Sequence, residues 1–316
     1  MRTAFSIIFG FVFVMIAFSQ QDPTYSQPMF NQMAFNPGYA GGSDMVCFSL
    51  LTRQQWVGFE GAPSTTMLTA NMPFKVFGIS SGAGLTLMSD QIGFENNLSL
   101  ALSYAYRQDI GNGKLGIGIN LGMFNKALKP NWKIITETGD EGSPSDDPLI
   151  PENDESVIAF DLGFGLYYKM DDLYVGISTT HLNEGKLKYA STSGVSYLKR
   201  QYYLIAGYTL PFGKPLFEVT PSIFLYSDGK TSQISINTMV LYNKKFWGGV
   251  SYRAGDAITG MIGIELFNGL RIGYAYDFTT SDIRKNSNGT HEFMIGYCFN
   301  LSLDRSPQRY KSVRFL

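Results

Sequence analysis

The sequence predicts an all-β fold, a transmembrane antiparallel β-barrel of about 14 strands. Three observations carry this. Segments of about ten residues alternate large apolar side chains with small or polar ones along most of the chain. Charged residues make up 16 %, well under the roughly 25 % of a soluble domain, while 24 Phe, 19 Tyr and 34 Gly supply material for aromatic girdles and closely packed strands. A short apolar leader stands at the N-terminus.

Residues 1–19 read as a secretory signal peptide. Arg2 is its positive end, Ala4 to Phe18 its apolar run, and Ala17-Phe18-Ser19 its small-residue cleavage site. No cysteine lies near that site, which argues against a lipid anchor. Residues 20–43 read as a periplasmic or plug segment, QDPTYSQPMFNQMAFNPGYAGG. Its turn signals are Asn36-Pro37-Gly38 and Gly41-Gly42. Tyr25, Met29, Phe30, Met33, Phe35 and Tyr39 are too many large apolar groups for a free linker, so something buries them. The barrel's own lumen and a periplasmic partner are the two candidates.

Residues 44–301 read as the barrel. Strand candidates fall near 45–56, 65–73, 81–89, 95–108, 114–127, 156–169, 173–182, 199–211, 217–227, 232–243, 246–254, 257–267, 270–279 and 290–301. The last alternates with hardly a fault: Phe293, Ile295, Tyr297 and Phe299 are separated by Met294, Gly296 and Cys298. Every second connection is short, as at Asp109–Gly113, Met170–Asp172 and Asn243–Lys245, which places those turns in the periplasm. The long connections fall on the opposite side. The largest, 128–155, is acidic and Pro-rich. Residues 302–316 read as a periplasmic tail with basic side chains.

The inward parity carries Arg107, Asp109, Asp161, Arg253, Glu265, Arg271, Asp277 and Glu292. Such charges must be paired or hydrated, in a hydrogen-bonded plug or along an aqueous pore. Cys47 and Cys298 fall in the first and last strands; they are either bonded across the barrel seam or two small buried residues. The stretch Arg53 to Thr65, RQQWVGFEGAPST, reads as a folded outer connection, with Trp56, Gly58 and Pro63 as its fixed points.

A net charge of −1 leaves no basic footprint for nucleic acid. His181 and His291 are the two histidines, and neither has a Ser or carboxylate at a spacing that specifies a hydrolase or a metal site. The expectation is therefore no enzyme, no cofactor and no metal. Candidate partner-binding residues are Tyr25, Phe30, Phe35, Asn36, Pro37, Tyr39, Arg53, Trp56, Gly58 and Pro63.

Several segments together, in collinear order, carry a family resemblance: the N-terminal segment above, RQQWVGFEGAPST, SDQIGFEN, YAYRQDI, GKLGIGINLG, LYVGISTTHLNE, YLIAGYTLPF, WGGVSYRAGDAI, LRIGYAYDFTTS and NGTHEFMIGYCF. The chain resembles the PorP/SprF membrane proteins of the type IX secretion system of Bacteroidetes, whose usual ending is nearer GSHE than the Gly289-Thr290-His291-Glu292 found here. The resemblance implies an outer-membrane accessory barrel that supports export and surface attachment of secreted proteins or adhesins, in some members for gliding motility. Its implied partners are the periplasmic ring, peptidoglycan-linked components, a secreted client and the lipid bilayer. A solute or lipid transport barrel is the alternative that barrel physics leaves open.

Overall fold

In the computed structural model the described residues are 22–129, 134–135, 141–142, 153–190, 194–212, 216–266 and 269–300. The signal-peptide and tail readings, and most of the acidic connection, lie outside them. Fourteen strands form the wall. They are Val46–Gln54 (β1), Ser64–Val76 (β2), Ile79–Ile92 (β3), Glu95–Ile110 (β4), Gly113–Leu128 (β5), Glu155–Lys169 (β6), Leu173–Thr180 (β7), Gln201–Tyr208 (β8), Phe217–Ser227 (β9), Ser232–Tyr242 (β10), Phe246–Arg253 (β11), Ala257–Leu266 (β12), Leu270–Thr279 (β13) and Thr290–Phe299 (β14). Each pairs antiparallel with the next, and β14 returns to β1, from Val46 opposite Phe299 to Gln54 opposite His291. The barrel is closed and has no free sheet edge.

Alternation decides which face meets lipid. On β4 and β5, Leu98, Leu102, Ile119, Leu121 and Met123 point outward and are exposed, while Ala101, Ala105, Phe124 and Lys126 between them are buried inside. Tyr252 and Phe278 near one rim, and Phe217, Tyr242 and Phe246 near the other, place aromatic rings at both ends of the apolar band.

The predicted strands match these elements closely, with instructive differences. β2 and β3 are longer than expected, because Pro73 does not end β2. It lies beyond the last β1–β2 pair, Cys47 opposite Asn71, so its missing N–H costs no bond on that side. The connecting turn places Phe77 (φ 49°) and Gly78 (φ 81°) in the left-handed region, the geometry of a tight hairpin turn. β8 is shorter than expected. Its ladder breaks at Thr209, whose N–H donates to the Asp172 carbonyl at 2.7 Å, and resumes at Leu210–Phe212. The 183–198 connection contains a small strand pair, Lys186–Leu187 with Ser196–Tyr197.

Cys47 and Cys298 stand directly opposite each other across the β1–β14 seam and are disulfide-bonded. Strand length is uneven around the barrel: β2 to β6 run for 13–16 residues, β7, β8 and β11 for 8. One wall therefore stands taller than the other.

Candidate functional site: the occupied lumen and its mouth

A barrel of eight strands can be filled by its own side chains, whereas one of 16–18 encloses a channel. Fourteen strands fall nearer the second case, so the interior needs a filler. Residues 22–45 supply it. Asp22 sits at the long-loop end, where it meets His181 just past β7. The segment then descends through three single-turn 3₁₀ helices, Pro28–Phe30, Gln32–Ala34 and Pro37–Tyr39, to the short-turn end. There Asp44 accepts from Arg107 at 2.7 Å and Lys114 at 3.2 Å, and Lys169 donates to the Gly42 carbonyl at 3.2 Å.

Four kinds of contact hold this plug. The first is a buried ionic cluster. Arg53 donates to Asp277 at 2.9 Å and Glu292 at 3.2 Å, and Arg253 bonds Asp256 at 2.9 Å and Asp277 at 3.3 Å. The side chains of Arg53, Asp277 and Glu292 are at most 2 % exposed. Burying charges this deeply is favourable only if every lone pair finds a donor, and the plug completes the set. The Ser26 and Gln27 backbone N–H groups donate to Glu292 at 2.7 and 2.9 Å, the Ser26 hydroxyl donates to Asp277 at 2.6 Å, and Arg253 reaches the Tyr25 carbonyl at 3.1 Å. The plug thus supplies the neutral donors and the carbonyl acceptor that the barrel's own charges need.

The second is a glycine floor. The Asn36-Pro37-Gly38 turn lies flat on β5, β6 and β7. A Cβ on Gly118 would stand 2.2 Å from the Pro37 carbonyl carbon, one on Gly116 2.1 Å from the Gly38 oxygen, and one on Gly165 2.1 Å from Asn36 Oδ1. Asn36 then anchors the turn, donating from Nδ2 to the Leu166 carbonyl at 2.9 Å and accepting the Gly38 N–H at 2.8 Å. On β3, Gly82 gives the same clearance to the Ala40 carbonyl. These inward glycines are where backbone meets backbone.

The third is aromatic. Phe35 packs against Tyr25, Tyr203 and Phe224 at ring-centroid separations of 5.5, 5.6 and 5.0 Å. The Phe30 ring centroid lies 4.6 Å from that of Trp247, and the Arg271 guanidinium stands over the Phe30 ring at 4.9 Å from its centroid. The fourth is the latch at the long-loop end. His181 bridges Asp22 at 3.0 Å and Asp161 at 2.9 Å, and Tyr203 donates to Asp22 at 2.7 Å. Burial alone would lower the His181 pKa, but the Asp22 charge and the bonds to both carboxylates raise it to about 10. Burial works against ionised Asp22 too, and His181 with its hydrogen bonds outweighs it, so its carboxyl titrates below the ordinary range.

Above the plug, the tall wall encloses a cavity of about 680 Å³, open at the long-loop mouth. Asp22, Pro23 and Thr24 form its floor. Its sides include Trp56, Pro63, Asp90, Phe94, Phe124 and Leu198.

The ten expected partner-binding residues thus separate. Tyr25, Phe35, Asn36, Pro37 and Tyr39 lie within the lumen on the plug, and Phe30 is half-buried against Trp247. Arg53, expected with the outer connection, is the penultimate residue of β1 and points inward as the hub of the ionic cluster. Trp56 and Pro63 line the mouth cavity, and Gly58 (φ 95°) is exposed on a connection pinned by the Val57 N–H to the Gly289 carbonyl at 2.9 Å. The plug–histidine contact carries no signal in the sequence, because the two acids that His181 meets lie 20 and 159 positions away. The glycine floor carried a faint signal, since Gly116, Gly118 and Gly165 share the inward parity with the buried charges.

A family model described as "Type IX secretion system membrane protein PorP/SprF" matches residues 17–297. No curated protein matches the chain. Among solved structures, the outer membrane protein Omp33 of Acinetobacter baumannii is similar at 7 % identity, with TM-score 0.46, over 81 % of this chain and 99 % of that one. The toluene transporter TbuX of Ralstonia pickettii is similar at 14 % identity, with TM-score 0.46, over 85 % and 93 %. The translocator domain of the autotransporter NalP from Neisseria meningitidis is similar at 14 % identity, with TM-score 0.45, over 81 % and 87 %.

Proposed function

Because the chain belongs to the PorP/SprF family of type IX secretion system membrane proteins, we propose that it is a plugged accessory barrel of the outer membrane, supporting export and surface attachment of specific secreted proteins or adhesins. The observation that carries this reading is the plug: residues 22–45 run the length of the lumen and complete the hydrogen bonding of its buried carboxylates. A barrel filled in this way serves as a rigid platform between two faces. Short periplasmic turns and long surface loops assign those faces. The surface face carries Trp56, Gly58, Pro63 and the acidic connection, and it is assigned to the secreted client. The periplasmic face carries Asp44, Lys114 and the exposed Phe77, and it is assigned to the periplasmic ring and peptidoglycan-linked components.

The test is a comparison of surface and culture-medium proteomes between the parent strain and a clean deletion. Loss of one or a few secreted proteins, with the outer membrane otherwise normal, supports the reading. An unchanged surface proteome with altered uptake or permeability moves the assignment to a solute or lipid transport barrel. In planar bilayers the purified barrel should be closed; steady conductance of the native protein would overturn the plugged-platform model.

A further inference from the structure

The mouth cavity is more than the blind end of the lumen, because one of the acids on its lining, Asp90, has no partner of opposite sign among the described residues. A single inward row runs from β14 and β1 into the tall wall across six neighbouring strands: Glu292, Arg53, Thr65, Asp90, Asn97 and Lys126, each opposite the next. Arg53 is paired with Glu292 and Asp277. Lys126 is satisfied by Glu95 at 2.8 Å. Asp90 stands between two neutral neighbours. It accepts the Thr65 hydroxyl at 2.6 Å, and no cation lies within ion-pair distance of it among the described residues. At the floor, the cation His181 is already taken up by Asp22 and Asp161. The remaining cation on the lining, Lys199, is exposed at the rim.

Apart from Thr24 and Gln55, the rest of the lining is apolar, with Met88, Ile92, Phe94, Phe124, Leu187 and Leu198 on the same cavity as the acid. A cavity of about 680 Å³ is in the size range that encloses a ligand of a few residues. Its open mouth lets a longer chain enter at one point and leave again. Residues 137–152 of this chain's own long connection are a poor occupant, because they carry Glu137, Asp140, Glu141, Asp146, Asp147 and Glu152 and would bring like charge to Asp90.

We propose that the mouth cavity is a docking site for an extended peptide segment that places a Lys or Arg beside Asp90 with large apolar residues on either side. The cation gives Asp90 the partner of opposite sign that it lacks, and the flanking side chains fill the greasy walls. The proposal rests on the reading that the surface face receives a secreted polypeptide, and it names the chemistry by which that polypeptide is recognised.

The probe is the acetylated, amidated pentapeptide FLKFL, titrated calorimetrically into the full-length barrel in detergent. FLEFL, FLQFL and octylamine serve as comparisons. A charge-assisted bond to a buried carboxylate is worth enough to favour FLKFL over FLEFL by at least about tenfold. Asp90→Asn keeps the shape of the site and the Thr65 bond, and should bring FLKFL and FLQFL to within about twofold. Equal affinity of the wild-type barrel for FLKFL and FLEFL overturns the proposal without need of any variant. So does binding of octylamine with none of FLKFL, which would make the site one for small amphipathic amines. If instead the peptide is seated by the acidic connection, deleting 137–152 abolishes binding while Asp90→Asn leaves it intact, and the proposal also falls. The two readings fail separately. A deletion strain that loses secreted proteins although FLKFL does not bind refutes the docking chemistry alone. Selective peptide binding with an unchanged proteome refutes the client role alone.

Discussion

Replacing Glu292 with alanine is expected to release the plug while leaving the barrel wall intact. Glu292 accepts two backbone N–H groups of the plug, from Ser26 at 2.7 Å and Gln27 at 2.9 Å, and pairs with Arg53 at 3.2 Å. Alanine strands both N–H groups in a buried site at about 1–3 kcal/mol each. It also leaves Arg53 sharing Asp277 with Arg253, but that cost falls on the wall whether the plug is docked or not, because both partners of the lost pair are strand residues. The two stranded N–H groups therefore set the net weakening of plug docking at about 4 kcal/mol, near a thousandfold in the docked-to-undocked ratio. The wall should survive, because β14 keeps its full ladder to β1 and β13 and the seam disulfide. The assay pairs planar-bilayer recording with limited proteolysis of residues 22–45. The variant should show intermittent openings absent from the parent, and cleavage up to about a thousandfold faster wherever the plug leaves as a unit. Glu292→Gln, which keeps one carbonyl acceptor, should fall between the two. A variant as silent and protease-resistant as the parent, with heat-modifiable gel migration showing a folded barrel, would refute the view that this cluster holds the plug.

Gly118→Val should dislodge the Asn36-Pro37-Gly38 turn, since its Cβ meets plug backbone at 2.2 Å and overpacking of this kind costs about 1–3 kcal/mol or more; Ile119→Ala, one residue along on the lipid face, should not change cleavage of the plug. The His181 latch should weaken with alkali. A folded-state pKa raised from 6.5 to about 10 makes its contribution complete below pH 6.5 and gone above pH 10, while the lowered Asp22 pKa removes the latch again in acid, below about pH 4. Plug proteolysis in the parent should therefore rise between about pH 7 and 10, and His181→Gln should be loose but flat across that range. Cys298→Ser should fold with the same strand pairing yet unfold more easily. Chain entropy for a closed loop of 251 residues sets an upper figure of about 5 kcal/mol, read as a lower denaturation midpoint.

The barrel itself was legible because a strand in a membrane repeats one rule at every second residue. Leu98, Leu100, Leu102, Tyr104 and Tyr106 announce a lipid face whatever lies across the lumen, and short turns such as Asn243–Lys245 announce one end. Strand limits were less legible where a proline sits beyond its neighbour's ladder, as Pro73 does, because whether a missing N–H matters depends on the partner strand. The site was partly legible. The crowding of large apolar groups in residues 25–39 required burial, and the inward charges required partners. Which groups would meet was hidden. Arg53 finds Asp277 and Glu292 across separations of 224 and 239 positions, and His181 finds Asp22 across 159.

What the sequence alone determined, then, is the wall: its period, its lipid face, its ends and the pairing of its first and last strands, all consequences of local alternation and the need to leave no edge in a bilayer. What tertiary structure alone decided is the interior. A row of glycines becomes a floor only when a turn lies on it, and four buried charges become tolerable only when plug N–H groups and hydroxyls reach them. Those are relations between distant segments, set by closure of the barrel, and no periodicity in the chain encodes them.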